Sequence, residues 1–254
     1  MNTTFKRVPA LEKCFAMLEL LSKNRRNFGI SDIANALGYH KGTVFNMVHT
    51  LSELGILEKA PYSKFRLGPQ LYALGKAAGG DSDLIQTVHP FLEQVHQKTN
   101  LSVFLGILIK DMVVTVDKVD SPEHLKVSSE IGMATPILAG AVGKIILSGM
   151  SQDELEQVLN RNTLRRFTSY SIVDRREFLK EIESARRDGF AFSDQEYIEG
   201  IRALAVPLHR FRNNLRTAMY VVGLNSQIRY EDIDSYVRLL KETAQTLNDR
   251  LAMT

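Results

Sequence analysis

The feature that most constrains how this chain folds is a cluster of small and apolar residues between positions 30 and 47. Ile33 and Leu37 lie at helical spacing around the small Ala34, Gly38 follows, and a second apolar stripe begins at Val44. Two helices joined so closely cross steeply, which requires a small residue at their contact and a turn residue that accepts a positive φ angle. An ordinary helical hairpin would explain the apolar stripes alone, whereas both requirements together predict a helix-turn-helix. Seven positions counted from Ile30 fit that motif: Ile33, Ala34, Leu37, Gly38, Tyr39, Val44 and Met47.

Apolar periodicity and terminating residues predict the helices of this region. The first helix begins at Pro9, which suits a first helical turn, and ends near Asn24. Ser31 is the expected N-cap of the second helix, because its hydroxyl can accept a hydrogen bond from a backbone N–H group of the next turn. The third helix is predicted over residues 41–54 and ends at Gly55.

A short antiparallel wing is expected after the third helix. Leu54 is the last residue of that helix predicted to face inward. Residues 56–59 and 64–67 alternate in polarity, and residues 60–63, which include a proline, provide a turn between them. The sequence therefore predicts a winged helix-turn-helix.

The charge of the chain is unevenly distributed. Residues 1–68 contain ten Lys or Arg against five Asp or Glu, a net charge of +5, whereas the remaining residues carry a net charge of −2. Cations that neutralise phosphates supply much of the sequence-independent affinity for DNA, so the basic first quarter suits a DNA-binding segment. Charge alone would equally suit a solvated surface.

The third helix provides the residues expected to contact double-stranded DNA, since its other side is occupied by the core. Asn46 is the best candidate for base recognition, because an asparagine amide can form a bidentate pair with adenine. The cations and Thr43 are better suited to phosphates or to the minor groove. The expected DNA-binding residues are His40, Lys41, Thr43, Asn46 and His49 on the helix and Lys64 and Arg66 on the wing.

Several functional classes find no support in the sequence. The opening residues lack the features of a secretory signal, and the most apolar segments, 103–109 and 137–147, are too short to span a membrane, so a cytoplasmic protein is expected. Cys14 is expected to pack in the core, with a reactive thiol as the alternative. The six histidines lack the spacing of a metal site, and no cofactor is predicted.

Catalytic motifs are also lacking. There is no G-x-S-x-G nucleophile elbow, and the glycines at 140 and 143 are too close together for a phosphate-binding P-loop. We therefore expect a protein that is not an enzyme. An enzyme with a DNA-binding appendage stays an alternative.

The remaining three quarters of the chain predict a second, larger domain. Residues 69–80 are helix-prone and end in glycines, which suits a helical linker between a domain at 1–68 and one at 81–254. A helix over 84–99, interrupted by Pro90, opens the second domain. Strands are predicted at 103–109, 112–119, 124–130, 201–208 and 215–223, and helices at 139–147, after Ser151, after Asp174 and from 233 to the C-terminus. An antiparallel sheet with helices on both sides resembles the GAF-like ligand-sensing fold, giving an α+β chain of two domains.

Four stretches resemble the IclR family of bacterial transcription regulators. They are KGTV at 41–44 with LSELGIL at 51–57; KFRLG at 64–68; GMATP at 132–136 with AVGK at 141–144; and GFAF at 189–192 through Glu196 to GIRALAVP at 200–207. The resemblance implies homodimers, or homotetramers built from them, that bind palindromic operators and respond to a small-molecule effector. Activators and repressors both occur in the family.

The same resemblance implies an effector pocket. Its residues would be Ala134, Ile137, Ile145, Ser193, Asp194, Ile201, Ala203, Tyr220 and Val222. Relatives that sense small keto acids have cysteine and serines at the positions of Ala203, Tyr220 and Val222, so an aromatic or sugar-derived acid is favoured here. For each apolar position in this set, plain core packing is the alternative to a pocket role. For the C-terminal domain as a whole, the alternative is that it senses a protein partner or serves assembly alone.

Overall fold

The computed structural model describes residues 6–22, 26–79, 84–123, 126–208 and 215–252. The chain forms two compact units, and the division falls between residues 81 and 82 of the sequence. The N-terminal unit is mainly helical with a small two-stranded sheet, whereas the C-terminal unit is built around a sheet of six strands.

The N-terminal unit contains three helices, a wing and a fourth helix. Its elements are α1 (Pro9–Ser22), α2 (Ile30–Leu37), α3 (Lys41–Glu53), β1 (Leu57–Ala60), β2 (Lys64–Leu67) and α4 (Pro69–Gly79). The strands are antiparallel, with Leu57 opposite Leu67 and Ala60 opposite Lys64. The winged helix-turn-helix predicted from the sequence is therefore confirmed. The predicted end of α1 near Asn24 lies outside the described residues.

The junction between α2 and α3 is built as the small-residue pattern predicts. Gly38 adopts a φ angle of 68° after α2, and the N–H group of Tyr39 donates to the carbonyl oxygen of Ala34 at 2.9 Å. The buried core of this unit consists of Met17, Leu21, Phe28, Ile33, Ala34, Val44, Val48, Leu51, Leu57 and Phe65. Cys14 packs against that core in a half-buried position, and burial raises the pKa of its thiol.

Two details of the N-terminal unit differ from the predictions. The N-cap of α2 is Gly29, whose N–H group donates to Asp32 Oδ2 at 2.9 Å, so Ser31 lies exposed within the first turn rather than capping it. Leu54 is 59% exposed instead of facing inward. The cause is that α3 ends at Glu53, and Gly55, with φ 70°, then redirects the backbone.

The C-terminal unit is a six-stranded antiparallel sheet with helices on both faces. Its elements are α5 (Leu84–Thr99), β3 (Ser102–Ile109), β4 (Met112–Val119), β5 (Ala134–Pro136), α6 (Gly140–Ser148), α7 (Gln152–Arg161), α8 (Arg175–Asp188), β6 (Ala191–Asp194), β7 (Ile201–Leu208), β8 (Thr217–Leu224) and α9 (Ile233–Ala252). The strand order is β5-β4-β3-β8-β7-β6. The predicted α/β domain with an antiparallel sheet is confirmed.

Side chains on successive strand residues enter two separate cores, because they point to opposite faces of the sheet. On β3, Phe104 joins the core under α6, α7 and α8, whereas its neighbours Val103 and Leu105 join the core under α5 and α9. On β8, Tyr220 and Val221 divide in the same way. The sheet therefore forms the middle layer of three.

The edge strands of the sheet were predicted less well. The described part of the strand predicted at 124–130, residues 126–130, forms no strand. The edge position beside β4 is taken instead by β5, where Thr135 pairs with Val113. Alternating polarity is shared by strands and by extended loops, so the pattern could not distinguish them. The other edge strand, β6, was not predicted, and the connection between the strands predicted at 201–208 and 215–223 lies outside the described residues.

The helices predicted after Ser151 and after Asp174 begin directly after those residues, which act as their N-caps. Ser151 caps α7 through a reciprocal pair: its Oγ accepts from the N–H group of Glu154 at 3.3 Å, and its own N–H group donates to Glu154 Oε2 at 2.9 Å. Asp174 caps α8 by accepting from the N–H groups of Arg176 and Glu177. α5 begins at Leu84 and contains Pro90 within it.

Candidate functional site

The outer face of α3 is the first candidate site. Val44, Val48 and Leu51 bury the inner face of the helix, so the residues between them are turned outward. Of the predicted DNA-binding residues, His40, Lys41 and Asn46 are exposed. Thr43 and His49 are half-buried, on the two flanks of the helix.

The wing offers fewer unpaired cations than its sequence indicates. Arg66 is exposed, but its Nε lies 2.6 Å from Oε1 of Glu58, the residue directly opposite on β1. Lys64 is half-buried at the start of β2, whereas Lys59 on β1 is exposed and was not among the predicted contacts. At the tip, Tyr62 is 93% exposed with a φ angle of 63°.

Phe45 is a second surface residue that sequence reasoning missed. It is 50% exposed on α3, between the buried Val44 and the exposed Asn46. Its ring centroid lies 4.3 Å from that of His49, and His49 in turn makes an edge contact with the buried Phe65 at 6.3 Å. The helical period carried the signal, since a residue 100° from Val44 lies at the border of the buried face.

The second candidate site is a cavity of about 140 Å³ in the C-terminal unit, which we call the sheet cavity. It lies between the face of β3, β7 and β8, the start of α6, and the loops at 126–133 and 195–200. Its lining residues are Phe104, Val127, Ser128, Ser129, Met133, Thr135, Ala139, Gly140, Ala141, Val142, Ser193, Tyr197, Ile198, Ile201, Ala203, Tyr220 and Val222.

Five of the nine predicted pocket residues line the sheet cavity: Ser193, Ile201, Ala203, Tyr220 and Val222. The other four do not. Ile137 and Ile145 are buried in the core under α6, and Ala134 lies half-buried on the edge strand β5. Asp194 binds Arg202, with Oδ1 2.7 Å from Nε, and accepts a hydrogen bond from Tyr230, because it follows Ser193 and points to the opposite side of β6.

Stacked aromatic rings form one wall of the sheet cavity. The ring centroids of Phe104 and Tyr220 are 5.2 Å apart. Gly106 makes room for Tyr220, because a Cβ atom at that position would lie 2.8 Å from Val113 Cγ1 and 3.2 Å from Tyr220 Cε1. The Tyr220 hydroxyl is 3.0 Å from Thr115 Oγ1, and burial raises the pKa of Tyr220 to about 12. The phenol therefore stays neutral and able to donate at physiological pH.

Hydroxyls and backbone N–H groups supply the polarity of the sheet cavity. None of the described residues that line it has a charged side chain. α6 begins in its wall: Gly140 has a φ angle of 65°, and the N-cap residue Ala139 provides no side-chain hydrogen bond to the first turn. The N–H groups of that turn favour an anion, because the helix dipole is positive there.

A buried cation lies one turn further along α6 and was also missed. Lys144 is 1% exposed, and its Nζ lies 2.6 Å from Glu196 Oε1, 2.8 Å from Glu181 Oε2 and 3.1 Å from the carbonyl oxygen of Phe192. Burial raises the pKa of Glu196, although Lys144 opposes that effect. Lys144 therefore ties the loop at 195–200, which lines the sheet cavity, to α6 and α8. Lysine is so seldom buried that composition alone gave no sign of this.

Two other kinds of site have no counterpart in the described part of the chain. No cluster of three or more His, Cys, Asp or Glu side chains there is arranged to hold a metal ion. No described helix is both long and apolar enough to cross a membrane.

Comparison with known proteins identifies the family. Residues 10–61 match the IclR helix-turn-helix domain, and residues 77–249, more than half of the chain, match the bacterial transcriptional regulator IclR C-terminal domain. The chain belongs to the IclR family. It is therefore a DNA-binding transcription regulator with a C-terminal effector-binding domain, and the family inferred from its motifs is confirmed.

The chain is similar to individual IclR-family proteins over nearly their whole length. The chain is 27% identical to the HTH-type transcriptional regulator KdgR of Escherichia coli K12 over 250 residues, covering 96% of this chain and 93% of that protein. A crystal structure of an IclR-type regulator from Alicyclobacillus acidocaldarius matches with a TM-score of 0.85 and 26% identity, covering 97% of this chain and all 100% of that one. An IclR homolog from Microbacterium hydrocarbonoxydans, crystallised with 4-hydroxybenzoate, matches with a TM-score of 0.84 and 24% identity, covering 96% and 100%.

Proposed function

We propose that this IclR-family regulator binds operator DNA through the outer face of α3 and the wing, and that an organic acid in the sheet cavity controls that binding. The observation that carries the DNA half is that α3 buries Val44, Val48 and Leu51 while exposing Lys41 and Asn46. In this proposal residues 1–68 bind DNA, 69–80 connect the domains, and 81–254 bind the effector and assemble the oligomer.

The structure supports different roles for the DNA-facing residues. Asn46 is exposed and uncharged, which suits bidentate pairing with adenine. Lys41 and His40 lie at the N-terminus of α3, where Lys41 suits a phosphate. Arg66 already binds Glu58, so we assign it a smaller share of phosphate binding than Lys41.

The sheet cavity suits an organic acid whose body is about the size of one benzene ring. A cavity of roughly 150 Å³ holds a benzene ring, and the sheet cavity, at about 140 Å³, is close to that volume. The apolar lining and the Phe104–Tyr220 stack favour an aromatic body, and the first turn of α6 with Ser193 would bind the carboxylate. The fold relative crystallised with 4-hydroxybenzoate makes hydroxybenzoates sensible first probes. Sugar-derived acids form the second group to test.

The proposed oligomer is a homodimer, or a tetramer of two dimers. α1 exposes Leu11 and Phe15, and Val8 just before it is exposed as well, which gives an apolar stripe at spacings of three and four residues. An apolar stripe of this kind suits pairing with a second copy of the chain. Light scattering of the purified protein would distinguish a monomer from a dimer or tetramer.

The proposal is tested in two steps with the full-length protein. First, genomic fragments retained by the protein are sequenced, and enrichment of one palindromic sequence is expected. Second, a thermal-shift screen of benzoates, hydroxybenzoates and sugar acids is made, and one class should raise the melting temperature progressively, with the logarithm of its concentration once that exceeds Kd. Failure to retain any duplex at low salt would overturn the DNA half. Stabilisation by a protein partner and by none of the acids would overturn the effector half.

A further inference from the structure

The exposed Phe45 is not accounted for by the packing of the N-terminal unit. It is 50% exposed, whereas its neighbours at 44 and 48 are fully buried, and the amide that we propose for adenine, Asn46, is the next residue. A single exposed apolar residue needs no explanation in general. The position of this one, within the surface proposed to face DNA, gives it a chemical context.

An aromatic row holds the Phe45 side chain in place. Phe65, which is 4% exposed, contacts His49, and His49 lies 4.3 Å from Phe45 with the two rings tilted by 47°. The row thus leads from the core to the surface of α3. Contact with His49 restricts the Phe45 ring on one side, which reduces the conformational entropy that the ring loses when its exposed face contacts a partner.

The backbone beside Phe45 is open. Gly42 lies one turn earlier, and a Cβ atom at that position would meet nothing within 4 Å. Base edges can therefore approach α3 closely at this turn. The Phe45 ring, the Asn46 amide and the open backbone at Gly42 therefore lie close together on α3, and Lys41 lies at the N-terminal end of the helix.

We infer that Phe45 is a specificity-determining residue that contacts the C5-methyl group of a thymine at or beside the base pair read by Asn46. The thymine methyl is the apolar group that base edges present in the major groove, and phenylalanine is among the side chains that contact it. This inference rests on the proposed DNA binding by α3. It adds a determinant that neither charge nor hydrogen-bonding capacity would reveal.

The test replaces thymine by uracil, which removes the methyl group and leaves base pairing intact. Each thymine of one operator half-site is replaced in turn, and the affinity of the full-length protein is measured by fluorescence anisotropy at fixed salt. One replacement should weaken binding by about fourfold, which corresponds to the free energy gained by burying one methyl group. The Phe45→Ala variant should bind thymine and uracil operators alike, whereas Phe45→Leu, which keeps an apolar contact, should retain most of the discrimination.

Asn46→Ala is the matched control. It should bind more weakly yet keep the uracil penalty, because it leaves the Phe45 ring in place. Equal affinity of the wild type for every uracil operator, or an unchanged penalty in Phe45→Ala, overturns the inference while leaving selective DNA binding intact. A chain that selects no operator at all overturns the proposed function, and this inference with it.

Discussion

The outer face of α3 and the sheet cavity differ in exposure and in charge. The face bears an exposed cation and an exposed amide, whereas the described lining of the cavity carries no charged side chain. The difference is clearest in two lysines: Lys41 is exposed at the start of α3, and Lys144 is buried in α6 between two carboxylates. The same residue type is therefore exposed to solvent in one region and part of the internal architecture in the other.

The largest effect is expected from removing the buried lysine. Lys144→Met leaves the Glu196 carboxylate buried without its cation, which should lower the free energy of unfolding by about 3–5 kcal/mol. Lys41→Met, at an exposed position, should change it by less than about 0.5 kcal/mol. Urea unfolding of both variants at pH 7 makes the comparison. A Lys144→Met protein as stable as the wild type would show that the buried cluster has no structural role.

The next largest effect distinguishes the predicted pocket residues that line the sheet cavity from those that do not. Ala203→Leu should fill the sheet cavity and abolish stabilisation by the effector, which for the wild type is about 2.7 kcal/mol at a ligand concentration 100 times Kd. Ala134→Leu, on the edge strand outside the cavity, should retain it. Thermal shift with the best ligand of the screen is the measurement. Stabilisation that Ala203→Leu retains in full would place the effector elsewhere.

A smaller effect distinguishes the cations of the N-terminal unit. Lys41→Ala should weaken binding to all DNA sequences and reduce the slope of log affinity against log salt by about 0.9 for each phosphate that the variant no longer neutralises. Arg66→Ala should change the slope less, because Glu58 already neutralises that guanidinium. The two slopes are obtained from salt titrations of operator binding. A larger change for Arg66→Ala would reverse the assignment.

The smallest effect concerns pH and the N-cap of α7. Hydrogen bonds from Arg216 and Ser151 lower the pKa of Glu154 from 4.5 to about 2. Its ionised form therefore adds stability above pH 4.5, and this contribution is lost as the pH falls towards 2. Glu154→Gln should cost less than about 1 kcal/mol at pH 7, since the ion pair is half-exposed, and the difference from the wild type should narrow below pH 4.5. A difference that grows in acid would contradict this assignment.

The same contrast explains how far the sequence could predict the molecule. α3 and its outer face follow from one helical period, so Asn46 and Lys41 could be placed from local spacing alone. The sheet cavity joins residues from strands, a helix start and two loops that are far apart in sequence. Tyr197 and Ile198, in the loop at 195–200, therefore could not be found from periodicity.

Resemblance to the family helped where periodicity did not, but only in part. Of the pocket residues that it implied, Ser193 and Ala203 line the sheet cavity, whereas the side chain of Ile145 packs in the core. Phe45 was missed for a different reason. Apolar residues on an amphipathic helix are expected to be buried, and a ring at the border of the buried face breaks that rule.

The central claim is that the outer face of α3 reads operator sequence, and one measurement tests it most directly. A randomised duplex library is selected in parallel with the wild-type protein and with Asn46→Ala, and the retained sequences are compared. We expect the wild type to select a palindrome with a fixed adenine in each half-site, and Asn46→Ala to lose that preference alone, a change of about 1–3 kcal/mol in discrimination. Identical selected sequences for the two proteins would contradict the claim.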